Sequence, residues 1–135
     1  MDNIHETCEE TTNHLRELKK LGEEFNFILL GMGVEPNLML DDFPWMPKQR
    51  YTIMKEYMKR VGTLGQHMMK RTCTSQVNID YSSEEDMANK LRLMLNLEAI
   101  ATAIFSNSPF DQGSVSKYKS LRSHFWHHTD IDRTG

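Results

Sequence analysis

Thr74, Gln76, Asn78 and Asp80 stand two residues apart in Thr74-Ser75-Gln76-Val77-Asn78-Ile79-Asp80. In an extended segment such side chains project in parallel, so they would present hydroxyl, amide and carboxylate groups on one face. That face either lines a site or meets water on the open side of an antiparallel sheet. Arg50 and Arg122 carry planar guanidinium forks that match the paired oxygens of a carboxylate or phosphate, although most arginines are simply solvated. His124, His127 and His128 form an HxxHH cluster whose spacing could bring imidazoles onto one metal. No carboxylate or thiol stands at a matching helical position, which weighs against a metal site. Gly31-Met32-Gly33 lacks the third glycine and the helix opening of a phosphate-cradling turn and therefore predicts only a bend.

These groups need elements to hold them. From about Thr7 to Phe25 the apolar positions Leu15, Leu18, Leu21 and Phe25 recur at helical spacing, with Thr7 and Glu10 as a capping box. The short apolar run Phe27-Ile28-Leu29-Leu30-Gly31-Met32-Gly33-Val34 predicts a buried strand closed by glycines and Pro36. Asp41 to Pro47 is a proline-punctuated loop, and Arg50 to Met69 carries a one-sided apolar pattern, predicting a second helix interrupted near Gly62 and Gly65. Cys73 to Tyr81 alternates and predicts a strand with one wholly polar face. Ser82 with Glu85 would cap a helix from Met87 to Phe105 that is apolar nearly all round and so mostly buried. Ser106 to Gly113 is loop by composition, and Ser120 to Trp126 starts another short helix. The fold class is α+β, with few strands; two strands rarely make a stable sheet, so this segment would complete a sheet whose other strands lie elsewhere.

Composition narrows the function classes. With 135 residues, 39% of them hydrophobic and 26% charged, the chain has the make-up of one soluble domain or part of one. A formal charge of -3, from 16 Lys and Arg against 19 Asp and Glu without long blocks of one sign, offers no footprint for nucleic acid. No apolar stretch reaches bilayer length, and the acidic start Met1-Asp2-Asn3-Ile4-His5-Glu6 gives no support to secretion. Cys8 and Cys73 form no ligand pair or framework, so reduced thiols are expected. Ten methionines, five of them between Met46 and Met69, read as adaptable core filler.

Four stretches resemble the glutamate-cysteine ligases of plants and many proteobacteria: MPKQRYTIMKEYM (46–58), LGQHMMKRTCTSQVNIDYSSEEDM (64–87), SNSPF (106–110) and SLRSHFWHHTDIDRTG (120–135). A looser match runs from His5 to Pro36. The resemblance implies a glutamine-synthetase-like catalytic domain, with an antiparallel sheet curved around the active site and packed helices. Residues 1–135 would form one partial catalytic domain, a central fragment lacking upstream and downstream parts. It also implies that MgATP phosphorylates the side-chain carboxylate of glutamate, and that the amine of cysteine attacks the acyl phosphate to give γ-glutamylcysteine, the first step of glutathione biosynthesis. Carried over by motif, Arg50 and Arg122 would hold substrate carboxylates, Trp126 would wall the pocket and Thr74 would bond the substrate. Gln76 and Asn78 would lie near the phosphates and Mg2+. No residue of the chain is assigned a catalytic role, and the acidic metal ligands would lie outside it. Departures from the family pattern are Gln49 for a glycine, Ser75 for an apolar residue and His127-His128 for a Thr-Asp-like pair. The implied partners are glutamate and cysteine, and a complementing chain if the enzyme is split. The implied location is cytoplasmic, or plastid for a plant protein. The alternative function is an inactive fragment, or a subunit of a split enzyme that binds substrate or a partner chain without catalysis.

Overall fold

The computed structural model describes residues 3–134, which fall in two compact units, Met1–Gly31 and Met32–Gly135. The first is built on α1 (Ile4–Phe25). The helix opens three residues before the expected Thr7 cap, because Asn3 already does that work: its Oδ1 accepts from the amides of His5 (3.0 Å) and Glu6 (3.1 Å). Thr7 consequently lies inside the helix, its hydroxyl directed at the Asn3 carbonyl (3.4 Å). Asn26 closes α1 in the left-handed conformation (φ 55°), which an asparagine tolerates.

The second unit holds α2 (Gln49–Val61), α3 (Gly65–Arg71), α4 (Glu84–Phe105), the strands β1 (Phe110–Asp111) and β2 (Ser114–Val115), and α5 (Leu121–His127). The break expected near Gly62 and Gly65 separates α2 from α3. A Cβ on Gly62 would sit 2.3 Å from the Thr129 carbonyl oxygen, so only glycine lets the segment after α5 come this close. The His128 carbonyl there accepts from the amides of Thr63 and Leu64, both at 3.1 Å. The strands β1 and β2 pair antiparallel, Phe110 opposite Val115 and Asp111 opposite Ser114. Gln112 (φ 48°) and Gly113 (φ 77°) give the two-residue turn positive φ at both central positions, the geometry that matches strand twist. The described architecture is thus helix-rich α+β with one small antiparallel sheet.

The core consists of Val34, Leu121 and Phe125, with Leu64, Met68 and Tyr118 packed around it. Val34 reaches it because the chain around it is held on two sides. Cys73 donates to the Gly33 carbonyl (3.0 Å) and Glu35 to the Arg71 carbonyl (2.9 Å), while Gly33 donates to Asn107 (2.8 Å). Beneath this ladder lies Arg71, only 1% exposed. Its Nη2 donates to Asp111 Oδ1 (2.7 Å) and the Glu35 carbonyl (3.2 Å), and its Nη1 contacts His67 Nδ1 (3.1 Å).

Five expectations are corrected. Phe27–Val34 is not a strand: only Val34 pairs, through a single bridge to Thr72, and Ile28 is 86% exposed. Cys73–Tyr81 is exposed throughout and forms no strand, without a ladder partner among the described residues, and its alternation separates no buried face; Val77 is 82% exposed. A strand exists only against a neighbour, and the two runs find none here beyond that bridge. Third, α4 forms where expected, but it is capped by Ser83, whose hydroxyl accepts from the Asp86 amide (3.1 Å), and it buries no residue. Ser106–Gly113, expected to be loop, supplies β1 and both central residues of the turn. The methionines are only partly core filler: Met68 borders the core, whereas Met46 is 58% exposed.

Candidate substrate site

Arg122 and Trp126 are one helical turn apart on α5, a helix whose placement is set by its other face. Leu121 and Phe125, each 3% exposed, fasten α5 to Val34, and Ser120 caps it with its hydroxyl accepting from the Ser123 amide (3.3 Å). The Arg122 amide donates to Ser108 Oγ (3.1 Å), which ties the first turn of α5 to the segment before β1. The guanidinium stands 5.4 Å from the Trp126 ring centroid, a cation-aromatic distance that restrains the fork. Gly33 adjoins it; a Cβ there would lie 3.6 Å from Arg122 Cδ and 3.5 Å from Ser108. Arg122 Nε is buried and has no hydrogen-bond partner among the described residues. Arg71 Nε in the core is buried and unpartnered in the same way, so what distinguishes Arg122 is its place beside Trp126, where a carboxylate or phosphate oxygen matches the guanidinium fork.

The other expected site residues are not gathered at this point. Arg50 is exposed in the first turn of α2, where Nη2 donates to the Tyr51 hydroxyl (3.2 Å); that hydrogen bond first, then the Arg50 charge, lowers the Tyr51 pKa below the usual phenol value. Thr74 is exposed and turns its hydroxyl onto the Ser75 carbonyl (3.1 Å). Gln76 and Asn78 are exposed in the same extended stretch. No hydrogen bond, ion pair or ring contact among the described residues joins Arg50, Thr74, Gln76 or Asn78 to Arg122 and Trp126.

The histidine cluster packs instead of converging. His124 stacks on Tyr118 with centroids 4.1 Å apart, and His128 tilts against His124 at 4.4 Å while its Nδ1 contacts the His124 carbonyl (2.9 Å). Burial, then the neighbouring charges of His128, Lys117 and His127, lower the His124 pKa. Among the described residues no group of three or more His, Cys, Asp or Glu side chains could hold a metal ion. The described residues therefore do not fit a Mg2+ site of their own. No helix among the described residues is long and apolar enough to cross a membrane.

Arg71 is the residue that motif reasoning passed over. Lys70-Arg71 looks like a solvated basic pair, yet Leu64, Met68 and Arg71 share the helical spacing i, i+4, i+7, which places Arg71 on the core face. It supports the site from behind, its guanidinium 5.6 Å from the ring centroid of Phe125 on α5.

Residues 1–135 match the model of glutamate-cysteine ligase family 2. The chain is 53% identical over its whole length to the chloroplastic glutamate-cysteine ligase A of Oryza sativa subsp. japonica, and spans 27% of that protein. It is 51% identical to the chloroplastic glutamate-cysteine ligases of Brassica juncea and Arabidopsis thaliana, spanning 26% of each. The chain thus covers about a quarter of the length of the curated relatives it matches.

Proposed function

The chain belongs to glutamate-cysteine ligase family 2, and on that premise we propose that it forms the substrate-anchoring part of an enzyme that joins the side-chain carboxylate of glutamate to the amine of cysteine. ATP would activate the glutamate carboxylate as an acyl phosphate, and attack by the cysteine amine would release phosphate and leave γ-glutamylcysteine, the first step towards glutathione. Water has to be kept from that anhydride, which makes a walled pocket a requirement of the chemistry. The observation carrying the reading is the buried, unpartnered Nε of Arg122 beside Trp126. A guanidinium held beside an aromatic ring suits a substrate carboxylate. Arg50 would be a second carboxylate anchor, Thr74 a substrate contact, and Gln76 and Asn78 groups near the phosphates. The carboxylates that would hold Mg2+ on ATP would come from other parts of the ligase. A plastid location would match the relatives whose names are chloroplastic.

The span of the chain favours a second reading, a subunit of a split enzyme or an inactive piece that binds substrate or a partner chain. ADP release separates the two. The purified chain is expected to release none from ATP and magnesium, with glutamate, cysteine or both. A chimera, the Oryza sativa ligase carrying this chain in place of its matching stretch, is expected to release ADP only with both amino acids. In that chimera Arg122→Ala should lower kcat/KM by about 100-fold or more. Unchanged kinetics would remove Arg122 from the substrate.

A further inference from the structure

The three histidines at the end of α5 do not converge as a set, but two of them meet. His124 and His128 stand one turn apart, with ring centroids 4.4 Å apart and ring planes tilted by 56°. A metal bonded about 2.1 Å from an imidazole nitrogen lies about 3.2 Å from that ring's centroid, so two rings in adjacent coordination positions have centroids about 4.5–5.2 Å apart. The observed pair stands at the edge of that range, within a small side-chain adjustment of chelation. Both rings are already held. His124 stacks on Tyr118 at 4.1 Å, and His128 Nδ1 donates to the His124 carbonyl (2.9 Å) while the His128 amide turns to the Phe125 carbonyl. In neutral His128 the proton therefore sits on Nδ1 and the Nε2 lone pair is left for a ligand, the same backbone support that metal-bound histidines use. Neither ring nitrogen of His124 has a hydrogen-bond partner among the described residues. His128 is exposed and His124 half-buried, so an ion can reach the pair from solvent.

We propose that His124 and His128 form a two-histidine chelate for a borderline divalent cation of the Zn2+ class, with water completing the coordination sphere. Imidazole nitrogen suits zinc, nickel and copper, whereas Mg2+ takes oxygen ligands, so this site is chemically separate from the metal that ATP would bring. It is separate in space as well. At about 100° per residue the histidine pair points about 200° around α5 from Arg122 and Trp126. Burial and the neighbouring charges that lower the His124 pKa keep its ring unprotonated at neutral pH, as a ligand has to be. With no third His, Cys, Asp or Glu in reach among the described residues, the site is open to solvent and unlike a closed structural centre. The inference stands apart from the ligase reading and holds whether or not the chain anchors glutamate.

Zinc titration of the purified chain tests it, in a Cys8→Ser, Cys73→Ser background because both exposed thiols would compete for the ion. In nitrogen NMR of the imidazoles, the His124 and His128 signals should shift together at one half-saturation point as a single Zn2+ binds. His5, His14 and His67 should stay outside that transition, and Mg2+ should move none of them. His128→Gln should weaken zinc binding by about 10-fold or more, and His127→Gln by less than about 2-fold, each with an unchanged circular dichroism spectrum. The NMR titration needs no histidine variant, so misfolding of one cannot decide the result. His124 and His128 signals that stay still, or that move at different zinc concentrations, overturn the proposal. So does an equal loss of affinity in His127→Gln, which would take the chelate away from this pair.

Discussion

Two helices of the same unit, α4 and α5, invert the usual relation between apolar content and burial. The seven residues of α5 include two histidines, a serine and an arginine, yet Leu121 and Phe125 are 3% exposed and anchor the core. The 22 residues of α4 are far richer in leucine and isoleucine and anchor nothing. What separates them is the availability of partners: α5 meets Val34, Leu64 and Met68, whereas no residue of α4 joins that core or is buried elsewhere among the described residues. Burial is a property of a pair of surfaces, and a sequence pattern reports only one of them.

The sharpest way to break this comparison is to truncate a large apolar side chain to alanine on each helix. Phe125→Ala should destabilise the isolated chain by about 3–5 kcal/mol, the cost of a core aromatic plus its cavity. That loss comes close to the whole stability of many small domains, so a large unfolded fraction in buffer is expected. Leu95→Ala, at a position 63% exposed, should change stability by less than about 0.5 kcal/mol. Urea melts followed by circular dichroism give both values. Comparable losses would mean that α4 is packed in solution and that the contrast is false.

The same distinction explains what the sequence disclosed. Helices satisfy their hydrogen bonds locally, so α1, α2, α4 and α5, and the break at Gly62, could be read from apolar spacing and caps. The segments around Phe27 and Cys73 have the composition and alternation of strands, but a ladder requires a remote neighbour that no local pattern supplies. For the site, one pair was legible: Arg122 and Trp126 are four apart on a helix, and the fold does bring them together. Arg50 comes from one segment and Thr74, Gln76 and Asn78 from another, and nothing in their own spacing could say whether either meets Arg122. Arg71 was legible in principle from its helical stripe, but its basic neighbour disguised it as surface.

A smaller effect sharpens the core side of the comparison. Arg71 can only donate, so its contact with His67 Nδ1 requires a neutral imidazole carrying its proton on Nε2. Burial first, then the Arg71 charge, lower the His67 pKa, with Asp111 opposing and Lys70 adding slightly. A group whose folded pKa is lowered binds its proton more readily unfolded, so the stabilisation is complete above about pH 6.5 and is lost as the pH falls through the folded value. His124 acts in the same direction. Asp130, held low by Arg133 and Tyr57, and Asp86, held low by Lys90, contribute losses only further down, in the carboxylate range. His67→Asn keeps an acceptor for Arg71 but has no proton to bind, so its urea midpoint should fall less than the parent's between about pH 7 and pH 5. Parallel slopes would place the acid sensitivity at His124.

The smallest effect concerns the turn that delivers Asp111 to Arg71. Gln112 occupies a left-handed position (φ 48°), where a residue other than glycine, asparagine or aspartate is strained. Gln112→Asn, giving Asn-Gly at the two central positions, should therefore stabilise the chain by roughly 0.5 kcal/mol, less than the full local strain because some of it relaxes in the neighbouring backbone. The increment reaches global stability only if the hairpin unfolds with the core. Asp111 Oδ1 on Arg71 Nη2 and Gly113 donating to the Pro36 carbonyl (2.9 Å) provide that coupling. A higher urea midpoint for Gln112→Asn would place β1 and β2 within the same cooperative unit as Val34 and Phe125. An unchanged midpoint, with local hydrogen exchange slowed only in the turn, would put the hairpin on the α4 side of the comparison, as structure that forms without contributing to the core.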